Sequence, residues 1–161
     1  MKILVFILSI IITSGNLHSQ VLQHDIKWRV KAVRINESTF EIKFTVIPST
    51  KWWIASPLQD SIKSGNLLPT EFKLDHNQYF LPLSNLREFP ISNETEKFGL
   101  KIRWVKSVTS YTKRIKLNTK KSFACDFSIF FQPVTDEACL MREELKGTIV
   151  YSHNQLRIEM E

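Results

Sequence analysis

Residues 123 to 131 read FACDFSIFF, and every second position is apolar: Phe123, Cys125, Phe127, Ile129 and Phe131. A two-residue period of this length buries one side of the chain only as a β-strand, because successive side chains point to opposite faces. The pattern returns in Thr39–Val46, where Phe40, Ile42, Phe44 and Val46 take one face and Glu41, Lys43 and Thr45 the other. Before it, Trp28 and Val30 alternate with Lys27, Arg29 and Lys31, and Arg34 to Ser38 supply turn-type residues, so a hairpin with one wet face is expected. Leu100, Ile102 and Trp104 alternate with Lys101 and Arg103. Val108 to Leu117 is rich in β formers, Thr148 to Tyr151 is a short apolar run, and Gln155 to Met160 reads as a closing strand. Ser56–Thr70 and Tyr79–Thr95 are broken by prolines and read as irregular. Short strands at this spacing, with no sustained 3.6-residue period after the first residues, give an all-β expectation: an immunoglobulin-like antiparallel β-sandwich.

The first residues form a different kind of segment. Lys2 precedes a nearly continuous apolar run from Ile3 to Ile12, and Thr13 to Asn16 form a polar exit. The run is shorter than the roughly 20 residues needed to span a bilayer, and it reads as an export signal. Residues 1–19 are expected to leave by cleavage near Ser19 and Gln20, with 20–161 as a single domain, periplasmic or secreted from a bacterium. An uncleaved anchor is the alternative. No later stretch is apolar enough to cross a membrane, so no stable membrane insertion is expected after cleavage.

The 161 residues carry a formal charge of +6, with 43% hydrophobic and 24% charged residues. That composition is ordinary for a globular domain. The basic residues are dispersed along the sequence, and nucleic-acid binders usually gather them with interleaved aromatics, so a nucleic-acid partner is not expected. The charge reads as a solvated surface with mild attraction to anionic partners. His18, His24, His76 and His153 are dispersed and no cysteine cluster supplies metal-ligand spacing, so neither a metal nor a cofactor is expected. The chain contains no G-x-S-x-G and no glycine-rich phosphate loop.

Between the aromatic strand and a charged segment lies Val134-Thr135-Asp136-Glu137-Ala138-Cys139-Leu140. At this stretch the chain resembles the N-terminal domain of the bacterial thiol:disulfide interchange protein DsbD, the disulfide bond corrector domain family, whose hairpin has the form C-x-D-E-x-C. The resemblance extends to IKWRV at 26–30, KWWIASP at 51–57, LPTEF at 68–72 and EKFGLKIRW at 96–104. It implies an immunoglobulin-like sandwich that exchanges electrons through a hairpin disulfide, with a periplasmic thioredoxin-like or membrane redox protein as partner. Under it, Phe98 matches an aromatic of the loop that caps the hairpin, although packing alone would also explain that residue.

The departures fall on the chemistry. The first hairpin cysteine is replaced by Val134, and Met141 and Arg142 stand where the family often has two prolines. A dithiol relay within this hairpin is therefore incomplete, and the chain is expected to be a degenerate or repurposed member, more an accessory domain than an enzyme. Cys125 does not replace the missing cysteine: it lies nine positions before Val134, roughly 30 Å along a strand, and disulfides need Cα atoms within about 7 Å. Cys125 reads as a small core hydrophobe.

Cys139 is the candidate reactive group. Three roles stand for it: a partly buried thiol kept for packing, a thiol that forms a mixed disulfide with a partner, or a link to a second copy. Asp136 and Glu137 are acidic neighbours that disfavour attack as a thiolate. Adjacent Trp52 and Trp53 must point to opposite faces of a strand; the outward one is either part of a binding face or an edge residue covered by the loop at 56–70. Trp52, Phe98, Val134, Asp136 and Glu137 are the candidate docking residues. The alternative function is a non-catalytic immunoglobulin-like module that binds protein through its surface.

Overall fold

The strands alternating in sequence become the two facing layers of a sandwich. The computed structural model describes residues 24–59, 67–74, 78–97 and 100–161. One layer is formed by β1 (Lys27–Arg34), β2 (Thr39–Ile47) and β9 (Thr109–Leu117), in that order and antiparallel, with β5 (Phe80–Pro82) and β6 (Arg87–Phe89) on the far edge of β9. The other has the order β12 (Gln155–Met160), β11 (Glu143–Ser152), β10 (Phe123–Phe131) and β4 (Glu71–Leu74). A smaller sheet joins β3 (Ile54–Ala55), β8 (Leu100–Val105) and β7 (Glu94–Lys97). The fold is an all-β, immunoglobulin-like antiparallel sandwich.

The layers meet through the two alternating strands that define the sequence. Phe40, Ile42, Phe44 and Val46 of β2 and Tyr111 and Ile115 of β9 pack against Phe123, Phe127, Ile129 and Ile149 in one apolar core. Rings fill much of the space, with Phe44 and Phe72 centroids 4.6 Å apart and Tyr79 stacked on Phe123 at 4.7 Å. Cys125 is buried in the same core, its Cα opposite Ile149. Gly147 has a steric reason: a Cβ there would meet Phe127 Cζ at 2.6 Å and the Glu159 carbonyl at 2.7 Å. The Phe127 ring fills the space that a side chain would need.

The β1–β2 turn is held by Asn36, whose Oδ1 accepts hydrogen bonds from the amides of Ser38 (3.1 Å) and Thr39 (2.9 Å). On β9 the buried Tyr111 hydroxyl donates to Glu88 Oε1 at 3.0 Å, and Ser92 donates to the same oxygen at 2.6 Å. Burial first, and the Glu88 carboxylate second, push the Tyr111 hydroxyl above the usual phenol range, so it stays a donor.

Two segments differ from expectation. Tyr79–Thr95 is not irregular throughout: β5, β6 and the start of β7 lie in it, short edge strands with Pro82 ending one and Pro90 following another. The run at 148–151 extends back to Glu143, because Leu145 and Gly147 continue the inward alternation between charged neighbours.

The layers differ in charge. In β1, β2 and β9 most basic residues fall on the outward half of the alternation: Arg29, Lys31, Lys43, Arg114 and Lys116 share the outer face of that layer, while Arg34 and Lys113 stand at the register positions of inward Phe40 and Ile42. The dispersal seen along the sequence is therefore undone by strand register.

Candidate functional site

The hairpin that follows β10 is built by one threonine. Thr135 Oγ1 accepts hydrogen bonds from the amides of Glu137 (3.1 Å) and Ala138 (2.9 Å), and its own amide donates to the Ala138 carbonyl at 2.7 Å. This closes a tight turn with Asp136 and Glu137 exposed at its tip. Below the turn Val134 and Cys139 are directly opposite each other in an antiparallel bridge. The flanking bonds run from Thr135 N to Ala138 O and from Leu140 N to Pro133 O (2.9 Å), which makes Val134–Cys139 a non-hydrogen-bonded pair, the kind with the closest side chains.

The other edge of Val134 is tied to Trp53: each amide donates to the other's carbonyl, at 3.0 and 2.9 Å. Val134 is fully buried in a second apolar cluster with Trp53, Ala55, Leu67, Ile102 and Trp104. Ala138 and Leu140, on the other side of the hairpin, pack against the main core. Alternation therefore turns Cys139 away from the main core, to the side of Val134, where it is exposed. Cys125 and Cys139 are not joined by a disulfide.

Buried Gln132 anchors the base of the hairpin. Its Oε1 accepts from the Leu68 amide at 2.8 Å and its Nε2 donates to the Leu140 carbonyl at 2.9 Å. The loop entering β4 and the outgoing arm of the hairpin are thus held by one side chain. Arg142, just beyond, donates to Glu71 Oε2 at 2.7 Å and lies 4.8 Å from the centre of the Phe130 ring. The Arg142 guanidinium holds the Glu71 carboxyl below the usual carboxylate range.

Beside the hairpin is an open groove of about 780 Å³ lined by Lys51, Trp52, Trp53, Asp136, Glu137 and Ala138, among others. Lys106 Nζ sits 4.2 Å from the centre of the Trp53 ring. Three of the candidate docking residues, Trp52, Asp136 and Glu137, thus come together, and Cys139 is not among those lining the groove.

Several expectations change here. Trp52 and Trp53 do point to different sides, but both are buried, at 7% exposure each. Trp52 joins the main core and Trp53 the second cluster, where Leu67 of the loop at 56–70 also packs. Val134 is likewise buried and offers no surface, while Asp136 and Glu137 are exposed. Phe98 lies outside the described residues. Cys139 is exposed, which removes the packing role. Gln132 and Lys106 were not singled out from sequence: a glutamine at a strand end and a lysine after a strand carry no local signal, and their roles come from contacts with residues far along the chain.

No family model matches the sequence, and no curated protein matches it. Among solved structures the chain is similar to the N-terminal domain of Neisseria meningitidis DsbD in its reduced form. The two share 8% identity over 81% of this chain and 89% of that one, with a TM-score of 0.45. Among the described residues no helix is long and apolar enough to cross a membrane.

Proposed function

We propose that the chain is an exported accessory domain for thiol:disulfide interchange, of the DsbD N-terminal kind but with a single hairpin thiol. The observation that carries it is exposed Cys139 directly opposite buried Val134. The order of the motifs at 26–30, 51–57, 68–72 and 134–140 supports the family, and the apolar run at 3–12 supports export of residues 20–161 to a periplasmic or extracellular space.

One thiol supports only half of an exchange. The Cys139 thiolate attacks a partner disulfide, a Cys139–partner S–S bond forms, and the partner's other sulfur leaves as a thiolate. Resolution then needs a second thiol. Valine at 134 cannot supply it, and the partner's own released thiolate only reverses the step, so the resolving thiol comes from a second thioredoxin-like or membrane redox protein, whose sulfur becomes oxidised as the first partner leaves reduced.

The test is trapping. The purified domain is mixed with an exported thioredoxin-like oxidoreductase lacking its resolving cysteine and oxidised at the other with a leaving group. A mixed disulfide that maps to Cys139 and is lost in Cys139→Ser supports the reading, whereas no adduct, or one that persists in Cys139→Ser, contradicts it.

A second reading is favoured by the groove, which Cys139 does not line. In it the chain is a non-catalytic binding module that docks a protein against Lys51, the tryptophan edges and Asp136. Partner binding would then be equal in wild type and Cys139→Ser and weakened by Asp136→Lys.

A further inference from the structure

We infer that the outer face of the β1–β2–β9 layer docks on an anionic lipid bilayer. Strand register arranges this face in rows. Across one row the Cα partners run Lys31, Lys43, Thr112 and Arg87; across the next, Arg29, Thr45, Ser110 and Phe89. A further row ends in Arg114, which pairs with Glu41 at 3.2 Å. Glu41 is the one carboxylate at the outward register positions of β1, β2, β9 and β6. The opposite layer carries no such excess: Glu71, Asp126, Glu144 and Glu159 on its outer face offset Lys73, Lys146 and Arg157.

Lys31 and Lys43 stand directly opposite each other, a placement that destabilises a sheet unless something anionic lies over it. One end of the same face is apolar and uncovered. Phe89 is 79% exposed, Ile91 73% and Val108 56%. Ile91 lines one small cleft with Ser107 and Thr109, the two residues that flank Val108 in sequence. Exposed apolar side chains grouped beside cations mark an interaction surface.

The combination selects the partner. Nucleic acid would be read by several stacking aromatics, and Phe89 is the one aromatic at the outward positions of these strands. An acidic protein surface would complement the cations alone. A bilayer with anionic headgroups complements both parts: phosphates meet the lysines and arginines, and Phe89, Ile91 and Val108 enter the interface beneath them.

The test is co-sedimentation of residues 20–161, which hold every described strand and both apolar clusters, with vesicles. Phosphatidylcholine alone is compared with phosphatidylcholine–phosphatidylglycerol. Binding is expected only with phosphatidylglycerol, and is expected to disappear at about 0.5 M salt. At about fivefold per cation, Lys31→Gln/Lys43→Gln lowers the affinity on the order of 25-fold. Phe89→Ser/Ile91→Ser lowers it as well, and circular dichroism confirms that both double variants remain folded. Binding to neither vesicle, equal binding to both, or binding unchanged in Lys31→Gln/Lys43→Gln would each overturn the proposal. Binding to soluble polyphosphate without binding to vesicles would also overturn it, as would vesicle binding indifferent to Phe89→Ser/Ile91→Ser.

Discussion

Val134 and Cys139 face each other across the hairpin as a non-hydrogen-bonded pair, with Val134 inside an apolar cluster and Cys139 in solvent. Such pairs hold their Cα atoms about 4.5 Å apart, inside the range of about 4.4–6.8 Å that disulfides adopt. The backbone of a bridged hairpin is therefore present without the second sulfur. Val134→Cys is expected to form a disulfide with Cys139 under air oxidation, seen as loss of both hairpin thiols in mass spectrometry. Reduced, the variant should be less stable than wild type by about 1 kcal/mol, because a buried valine has lost a methyl group. A variant that keeps both thiols after oxidation would show that the hairpin is not held in this register.

Gln132 holds the loop before β4 to the hairpin through both ends of its amide. Gln132→Ala leaves the Leu68 amide and the Leu140 carbonyl without that partner. A loss of about 1–3 kcal/mol in chemical unfolding is expected, with hydrogen exchange at the Leu68 amide raised more than at Ile129 in the core. Equal protection at Leu68 in the variant would remove Gln132 from this role.

At Gly147 the expected change is purely steric. A Cβ within 2.6–2.8 Å of the Phe127 ring and the Glu159 carbonyl forces the ring or strand β12 to move. Gly147→Ala should cost about 1–3 kcal/mol, although alanine is an ordinary strand residue. Pairing it with Phe127→Leu, which removes the ring, should recover part of that loss; additive losses would contradict the contact.

Lys43→Gln should have the opposite sign. Removing one of two lysines directly opposed across β1 and β2 is expected to raise stability by about 0.2–1 kcal/mol at low salt. The gain should shrink at about 1 M salt, where the Debye length is near 3 Å. A destabilised Lys43→Gln would mean that the lysine stem contributes more by packing than its charge costs.

Local pattern made some of this legible and hid the rest. The alternations of β2 and β10 set the two facing layers, and the core position of Cys125 follows from its neighbours at two-residue spacing. Val134 opposite Cys139 follows from a short turn, since the pairing is local. The second cluster was hidden because it joins Trp53, Trp104 and Val134 from three distant segments; the alternation left the outward tryptophan either free for binding or covered by the loop at 56–70, and Leu67 of that loop packs in its cluster. The basic face was hidden for the same reason. Lys31, Lys43 and Arg87 are far apart in sequence, and only the register of β1, β2, β9 and β6 brings them into one row. The short strands β5 to β7 escaped because prolines and a length of three or four residues leave no periodic signal.

The most direct test of the central claim is thiol alkylation of the folded domain, residues 20–161, with each cysteine mapped by mass spectrometry. Cys139 is expected to label within minutes under native conditions and Cys125 only after unfolding, with one native thiol counted per chain. A Cys139 that stays unlabelled until the domain unfolds, or that is found joined to Cys125, would contradict it and leave the hairpin without a reactive group.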